Sequence, residues 1–297
     1  MGNSINAILK TLVYSDIFDY PLKKQEIYKY LIENKKVNEE SFDKILSLYN
    51  HQIVLKDNYY CLLGRENIIK KRIQREKESK IKLQIAQIII KRISFLPTIL
   101  FIGISGALAM KNAEKKDDID LFIIMKKNTL WSTRLFLIIL LKIMGKYRKR
   151  GDKNVANKIC LNMFLNENNL RLPIKRQNLY SAHEIIQLLP IFQRQNTYKI
   201  FLNSNKWVYK FLPNAIDKKT APIIRDKEYF FSVVPNFIFF SLPFELLSKK
   251  IQLYFIKKHK TVETVSDKIL AFHPIDYNKQ TTLFYKNRLK KYGLSFK

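Results

Sequence analysis

Residues 103–125 read GISGALAMKNAEKKDDIDLFIIM, and the fold turns on how this stretch is understood. Upstream of it, Thr98–Ile104 (TILFIGI) is short and apolar and follows Pro97, which predicts a buried strand. Ile119–Met125 (IDLFIIM) predicts a second strand, and the small residues between them a tight turn and a short helical piece. Side chains alternate along a strand, so Asp118 and Asp120 are expected on one face. Two carboxylates held side by side repel, and a divalent cation relieves that repulsion. Mg²⁺, a hard ion, prefers carboxylate oxygens together with substrate phosphates. The small residues ending the first strand would let backbone N–H groups approach a phosphate. Further on, a helix is expected at about Thr129–Lys146 and a third strand at Lys158–Leu165 (KICLNMFL), completing an α/β unit.

The same segment resembles the signature of the DNA polymerase β-like nucleotidyltransferase superfamily. Its elements are hydrophobic residues, a Gly-Ser pair, about a dozen residues, and then Asp-hydrophobic-Asp. Gly106 lies twelve positions before Asp118, and Ala109 and the apolar run Leu121–Ile124 also fit. The resemblance covers about a third of the chain, and the arrangement around it is similar to bacterial members with an N-terminal winged-helix-like module. It implies nucleotidyl transfer from an NTP, with Mg²⁺ or Mn²⁺ bound by Asp118 and Asp120 and with Ser105, Gly106 and Ala107 framing the triphosphate. Two positions depart from the pattern. Ala107 stands where the motif serine belongs, and the third strand carries Asn162 where a third carboxylate is expected. An amide oxygen can bind a metal but is no general base. The alternative is therefore a degenerate member that kept the fold and acts as a nucleic-acid-binding or regulatory module.

Outward from this core, residues 1–64 predict three helices and a hairpin, a winged-helix-like module. Asp57-Asn58 between Ile53–Leu55 and Tyr59–Leu63 is a hairpin turn pair. Glu39, Glu40 and Asp43 on the third helix would face phosphates unfavourably, which favours packing over DNA reading. Residues 65–170 form the expected nucleotidyltransferase core, opening with a connecting helix over 65–95 whose many charges read as a solvated face, with a phosphate-binding ridge as the alternative. From 171 to 297 the pattern is helical and predicts an all-α C-terminal domain: helices at Tyr180–Leu189, Thr197–Leu212, within Lys227–Lys260, and at Pro274–Lys291. The fold class expected is thus α+β and multidomain, with a short mixed sheet in the central part. Trp207 falls in a helical pattern that marks it as core, and His273 beside Pro274 as part of a turn.

Composition narrows the partners. Lys and Arg number 54 against 25 Asp and Glu, a formal charge of +29, which draws polyanions: nucleic acid, nucleotides or anionic lipid. Two distant cysteines, Cys61 and Cys160, and four scattered histidines exclude a disulfide scaffold or a zinc ribbon and fit a reducing cytoplasm. The apolar runs Leu135–Leu141 and Tyr229–Phe244 fall short of the ~20 residues of a bilayer span, so membrane insertion is not expected.

Overall fold

A computed structural model of the protein describes residues 2–48, 51–215, 224–225, 242–259, 264–272 and 276–296. The chain begins with helices α1 (Gly2–Asp16), α2 (Lys24–Lys29) and α3 (Glu39–Ser47), then the hairpin strands β1 (Ile53–Lys56) and β2 (Tyr59–Leu62). Asp57 and Asn58 have φ of 51° and 63°, the left-handed pair that a two-residue hairpin turn of the primed type demands. A long helix, α4 (Asn67–Ile93), leads into β3 (Ile99–Ile104), the one-turn α5 (Gly106–Ala109), β4 (Ile119–Met125), α6 (Leu130–Ile143) and β5 (Ile159–Asn166). Next come α7 (Leu179–Gln187), β6 (Leu189–Gln193), α8 (Thr197–Ser204), β7 (Ile224–Arg225), α9 (Leu242–His259), β8 (Thr264–Val265), β9 (Ile269–Ala271) and α10 (Tyr277–Lys291).

The molecule is a mixed α/β structure. Its main sheet has seven strands among the described residues, in the order β7-β6-β3-β4-β5-β9-β8. Only β4–β5 and β6–β7 pair in parallel; the other neighbours are antiparallel. Helices cover both faces. Ile119, Leu121, Ile123 and Met125 of β4 join Ile89, Ile90 and Ile93 of α4 and Trp131, Leu137 and Leu141 of α6 in one core. The alternate residues Phe122 and Ile124 join Ala182 and Ile185 of α7 and Phe201 of α8 in another. Pleating thus assigns Asp118 and Asp120 to the α7 side.

The all-α expectation for the C-terminal part gives way here, because β6, β7, β8 and β9 all belong to the sheet. These strands span two to five residues each, too short to show a period of two. Pro190, read as a helix end, lies within β6 opposite Gly103, where the ladder with β3 shifts register. A bulge of this kind tolerates a residue without an N–H. The helix expected over Thr197–Leu212 breaks at Asn205. Its fully buried amide bonds Leu170 O, Leu172 N and Phe201 O at 2.7–2.9 Å. Trp207 is core, as expected, and its indole N–H donates to Asn205. The turn at His273-Pro274 and most of the Tyr229–Phe244 run lie outside the described residues, and α10 starts at Tyr277 with Asp276 as its cap.

The charges of α4 are likewise not all solvated. Arg72 is 2 % exposed, lies 3.7 Å over the Tyr20 ring and bonds Glu26 and Glu76. Lys82, also 2 % exposed, donates to Lys115 O, Asp117 O and Asn157 Oδ1 at 2.7–3.0 Å. With Arg75 bonding Glu114 and Ser79 accepting from Ala113 N, one face of α4 grips the loop that precedes Asp118. Across the molecule, Tyr285 and Leu289 of α10 share a core with α1, and Asp16 of α1 pairs with both Arg65 and Arg288.

Candidate functional site

The tight turn after β3 is built around Gly106, whose φ of +65° is a conformation that disfavours side chains. A Cβ at this position would stand 3.0 Å from Asp120 Oδ2, so the backbone approaches the carboxylate as closely as only glycine allows. Ser105 N donates to Asp120 O at 3.0 Å, tying the end of β3 to the start of β4. The structure thus brings Gly106 against Asp120.

Asp118 and Asp120 offer carboxylate oxygens that lie, with Cys160 Sγ, all within 4.8 Å of one another. Cys160 enters through the parallel register of β4 and β5, in which Asp120 faces Cys160. Burial, then the neighbouring charge of Asp118, pushes the Asp120 carboxyl up to about 7. Burial raises Asp118 as well, against the pull of Arg148. Cys160 is pushed well up by burial and by both aspartates, which leaves a neutral thiol. The Arg148 side chain is placed by a short ladder beside β5, in which Arg148 N donates to Ile159 O at 3.0 Å. Its Nε lies 2.9 Å from Asp118 Oδ2 without the alignment of a hydrogen bond, and its Nη1 donates to Cys160 Sγ at 3.2 Å.

A chamber of 310 Å³ opens at this cluster, and Gly106, Ala107, Asp120 and Asn162 line it. Its lining also includes Glu184 and His183 of α7, Tyr14 of α1, and Tyr20 and Tyr30, which lie before and after α2. Ser105 lines an adjoining cavity that shares Asn162 and Glu184. Ser105 Oγ and Asn162 Oδ1 are buried and have no hydrogen-bond partner among the described residues. Burial, then the charge of Asp120, pushes the Glu184 carboxyl up to about 7. His183 is held neutral: burial pushes it down to about 4, its ring stacks 4.0 Å from Tyr14, and its Nδ1 meets Leu179 O at 3.0 Å.

These side chains fit a hard divalent cation in part. Two carboxylates and the orphaned Asn162 oxygen are suitable donors, whereas the neutral thiol of Cys160 is a poor one for Mg²⁺. Sequence reading missed Glu184, Cys160, Arg148 and Lys82. Glu184 belongs to an amphipathic helix distant from the motif, and its position in the chamber follows only from the packing of α7 on the sheet. Arg148 and Lys82 sit in basic stretches where nothing local marks one cation above its neighbours. Set against protein-family models, curated proteins and solved structures, the chain matches none. Among the described residues, no helix is long and apolar enough to cross a membrane.

Proposed function

We propose that the protein transfers a nucleoside monophosphate from an NTP to an acceptor hydroxyl in this chamber. One observation carries the reading: a glycine turn at φ +65° set directly against a carboxylate pair, beside a chamber lined by a third acid. Asp118, Asp120 and Asn162 would hold Mg²⁺ or Mn²⁺, which when bound offsets the charge of the carboxylates and of the triphosphate. Ser105, Gly106 and Ala107 would border the phosphates, and the tyrosines would enclose the nucleoside and exclude water. Glu184 would take the proton as the acceptor oxygen bonds to the α-phosphorus and the bond to the leaving pyrophosphate breaks. A carboxyl near 7 suits that work at neutral pH. It would supply, from α7, the carboxylate that β5 lacks at Asn162, a residue that lines the same chamber.

Under this reading the first 64 residues are a winged-helix-like module that packs against the site rather than reading DNA. Its third helix carries exposed Glu39, Glu40 and Asp43, the last paired with Lys24. The net charge of +29 favours a polyanionic acceptor such as nucleic acid.

The test is incubation with Mg²⁺ or Mn²⁺ and each α-labelled NTP, with RNA and protein acceptors. Label transfer that disappears in Asp118→Asn and Asp120→Asn supports the proposal. Nucleotide binding that is indifferent to metal and to both substitutions refutes it. The contact of Arg148 with Asp118 favours a second reading, a binding or regulatory protein in which the guanidinium takes the place of metal charge. That reading requires salt-sensitive nucleic acid binding undiminished in Asp118→Asn and Asp120→Asn.

A further inference from the structure

A second cavity, of 1020 Å³, opens between α6, α9 and the start of β5. Five cationic side chains line it, Arg134, Lys142, Arg148, Lys149 and Arg150, and among the described residues no carboxylate does. Arg134 is the informative one. It projects from α6, is 8 % exposed, and places its guanidinium 4.1 Å over the Phe272 ring. Its Nη1 donates to Gln252 Oε1 at 2.5 Å, while its buried Nε has no hydrogen-bond partner among the described residues. Gln252 is held in that orientation because its Nε2 donates to Trp131 O and Ser248 O. The guanidinium therefore meets a neutral amide oxygen and an aromatic face where a buried cation ordinarily meets a carboxylate. Burial pushes it down to about 10, which still leaves it charged at neutral pH.

A buried cation without a counter-ion destabilises the fold unless an anion reaches it. The cavity gives an anion access to Arg134, and the other walls say what the rest of that ligand must be. Ile138, Ile251, Phe255 and Ile256 line the same space, with Ile251 and Phe255 largely exposed. We infer that this cavity binds an amphipathic anion. Its phosphate or carboxylate head meets Arg134, Lys142 and Lys149, and its apolar tail lies along Ile138, Ile251 and Phe255. Arg148 is left out of the head contact because Asp118 and Cys160 already engage it. The inference goes beyond nucleotidyl transfer and does not depend on it, since neither Asp120 nor Glu184 lines the cavity.

Isothermal titration of the full chain with decyl phosphate, kept below its critical micelle concentration, tests this without any nucleotide. Saturable binding of one molecule per chain is expected. Decanol should bind at least about tenfold more weakly, as should decyl phosphate to Arg134→Gln, because a charge-assisted hydrogen bond is lost. Inorganic phosphate should be weaker by at least about as much because it has no apolar tail to bury. Lys142 and Lys149 are exposed, so the double variant Lys142→Gln/Lys149→Gln keeps its core and decides the matter if Arg134→Gln does not fold. Equal affinity for decanol, or affinity unchanged in the variants, overturns the proposal. So does co-sedimentation with phosphatidylglycerol vesicles in the absence of binding to monomeric decyl phosphate, which would assign the charge to a surface rather than to this cavity.

Discussion

Replacing Glu184 by glutamine should stabilise the protein, and more strongly in mild alkali than in mild acid. Burial, then the charge of Asp120, pushes the Glu184 carboxyl from 4.5 up to about 7. The folded state thus keeps a proton that the unfolded chain has already released. The favourable contribution of the protonated group is intact below pH 4.5 and is lost as the pH rises through about 7. At about 1.36 kcal/mol per unit, the loss is about 1.4 kcal/mol near pH 5.5 and about 3.4 kcal/mol near pH 8. Glutamine does not ionise, so the stability difference between variant and wild type should widen by about 2 kcal/mol between those two pH values.

Urea unfolding followed by far-ultraviolet circular dichroism, in EDTA at both pH values, measures this difference directly. Other groups of the chamber do not produce it. Asp120 titrates over the same range but does so in both proteins, and His183, pushed down to about 4, stays neutral throughout. Burial and the charge of Glu184 raise Tyr180 far out of the window. A variant no more stable than wild type near pH 8, or a gap that does not widen with pH, would refute the placement of Glu184 in a desolvated wall facing Asp120.

Three further tests, made with four substitutions, probe the frame around the site. Lys82→Met strands Lys115 O, Asp117 O and Asn157 Oδ1 in the loop before Asp118, and should cost about 2–4 kcal/mol in urea unfolding; a loss under about 1 kcal/mol would show that α4 does not hold that loop. Gly106→Ala and Gly64→Ala both place a side chain at positive φ, at about 1 kcal/mol each, but only the former meets Asp120 Oδ2 at 3.0 Å. Gly106→Ala should therefore be the less stable of the two and the one that loses metal-dependent nucleotide binding; equal behaviour would discount the close approach. Glu245→Ala removes a carboxylate that accepts from Trp131 N, Ser132 N and Ser132 Oγ at 2.6–2.8 Å, and should lower stability by about 1–3 kcal/mol with α6 melting first in hydrogen exchange.

What the sequence made legible follows the range of the forces involved. The hairpin at Asp57-Asn58, the strands around residues 99–104 and 119–125 and the glycine turn were readable because each is set by local chemistry: φ preference, apolar run length, period of two. That Gly106 belongs with the paired aspartates came instead from the resemblance, whose spacing sets it twelve positions before Asp118. The edges of the sheet were not readable. β6 to β9 take their pairing from strands up to about a hundred residues away in sequence, as Gly103 with Pro190 and Met163 with Ala271 show, and a run of two to five residues carries no period of its own. Buried charge was the other blind spot. Arg72, Lys82 and Arg134 look like any cation in a basic chain. What distinguishes them is the partner each finds, a glutamate pair for Arg72, three oxygens of a loop for Lys82 and a single amide for Arg134. The first two are well partnered and hold the fold, whereas among the described residues the third leaves an N–H unanswered beside an open cavity. In a chain of charge +29 the number of cations says little, and a buried one short of partners beside an open cavity is where a ligand is to be sought.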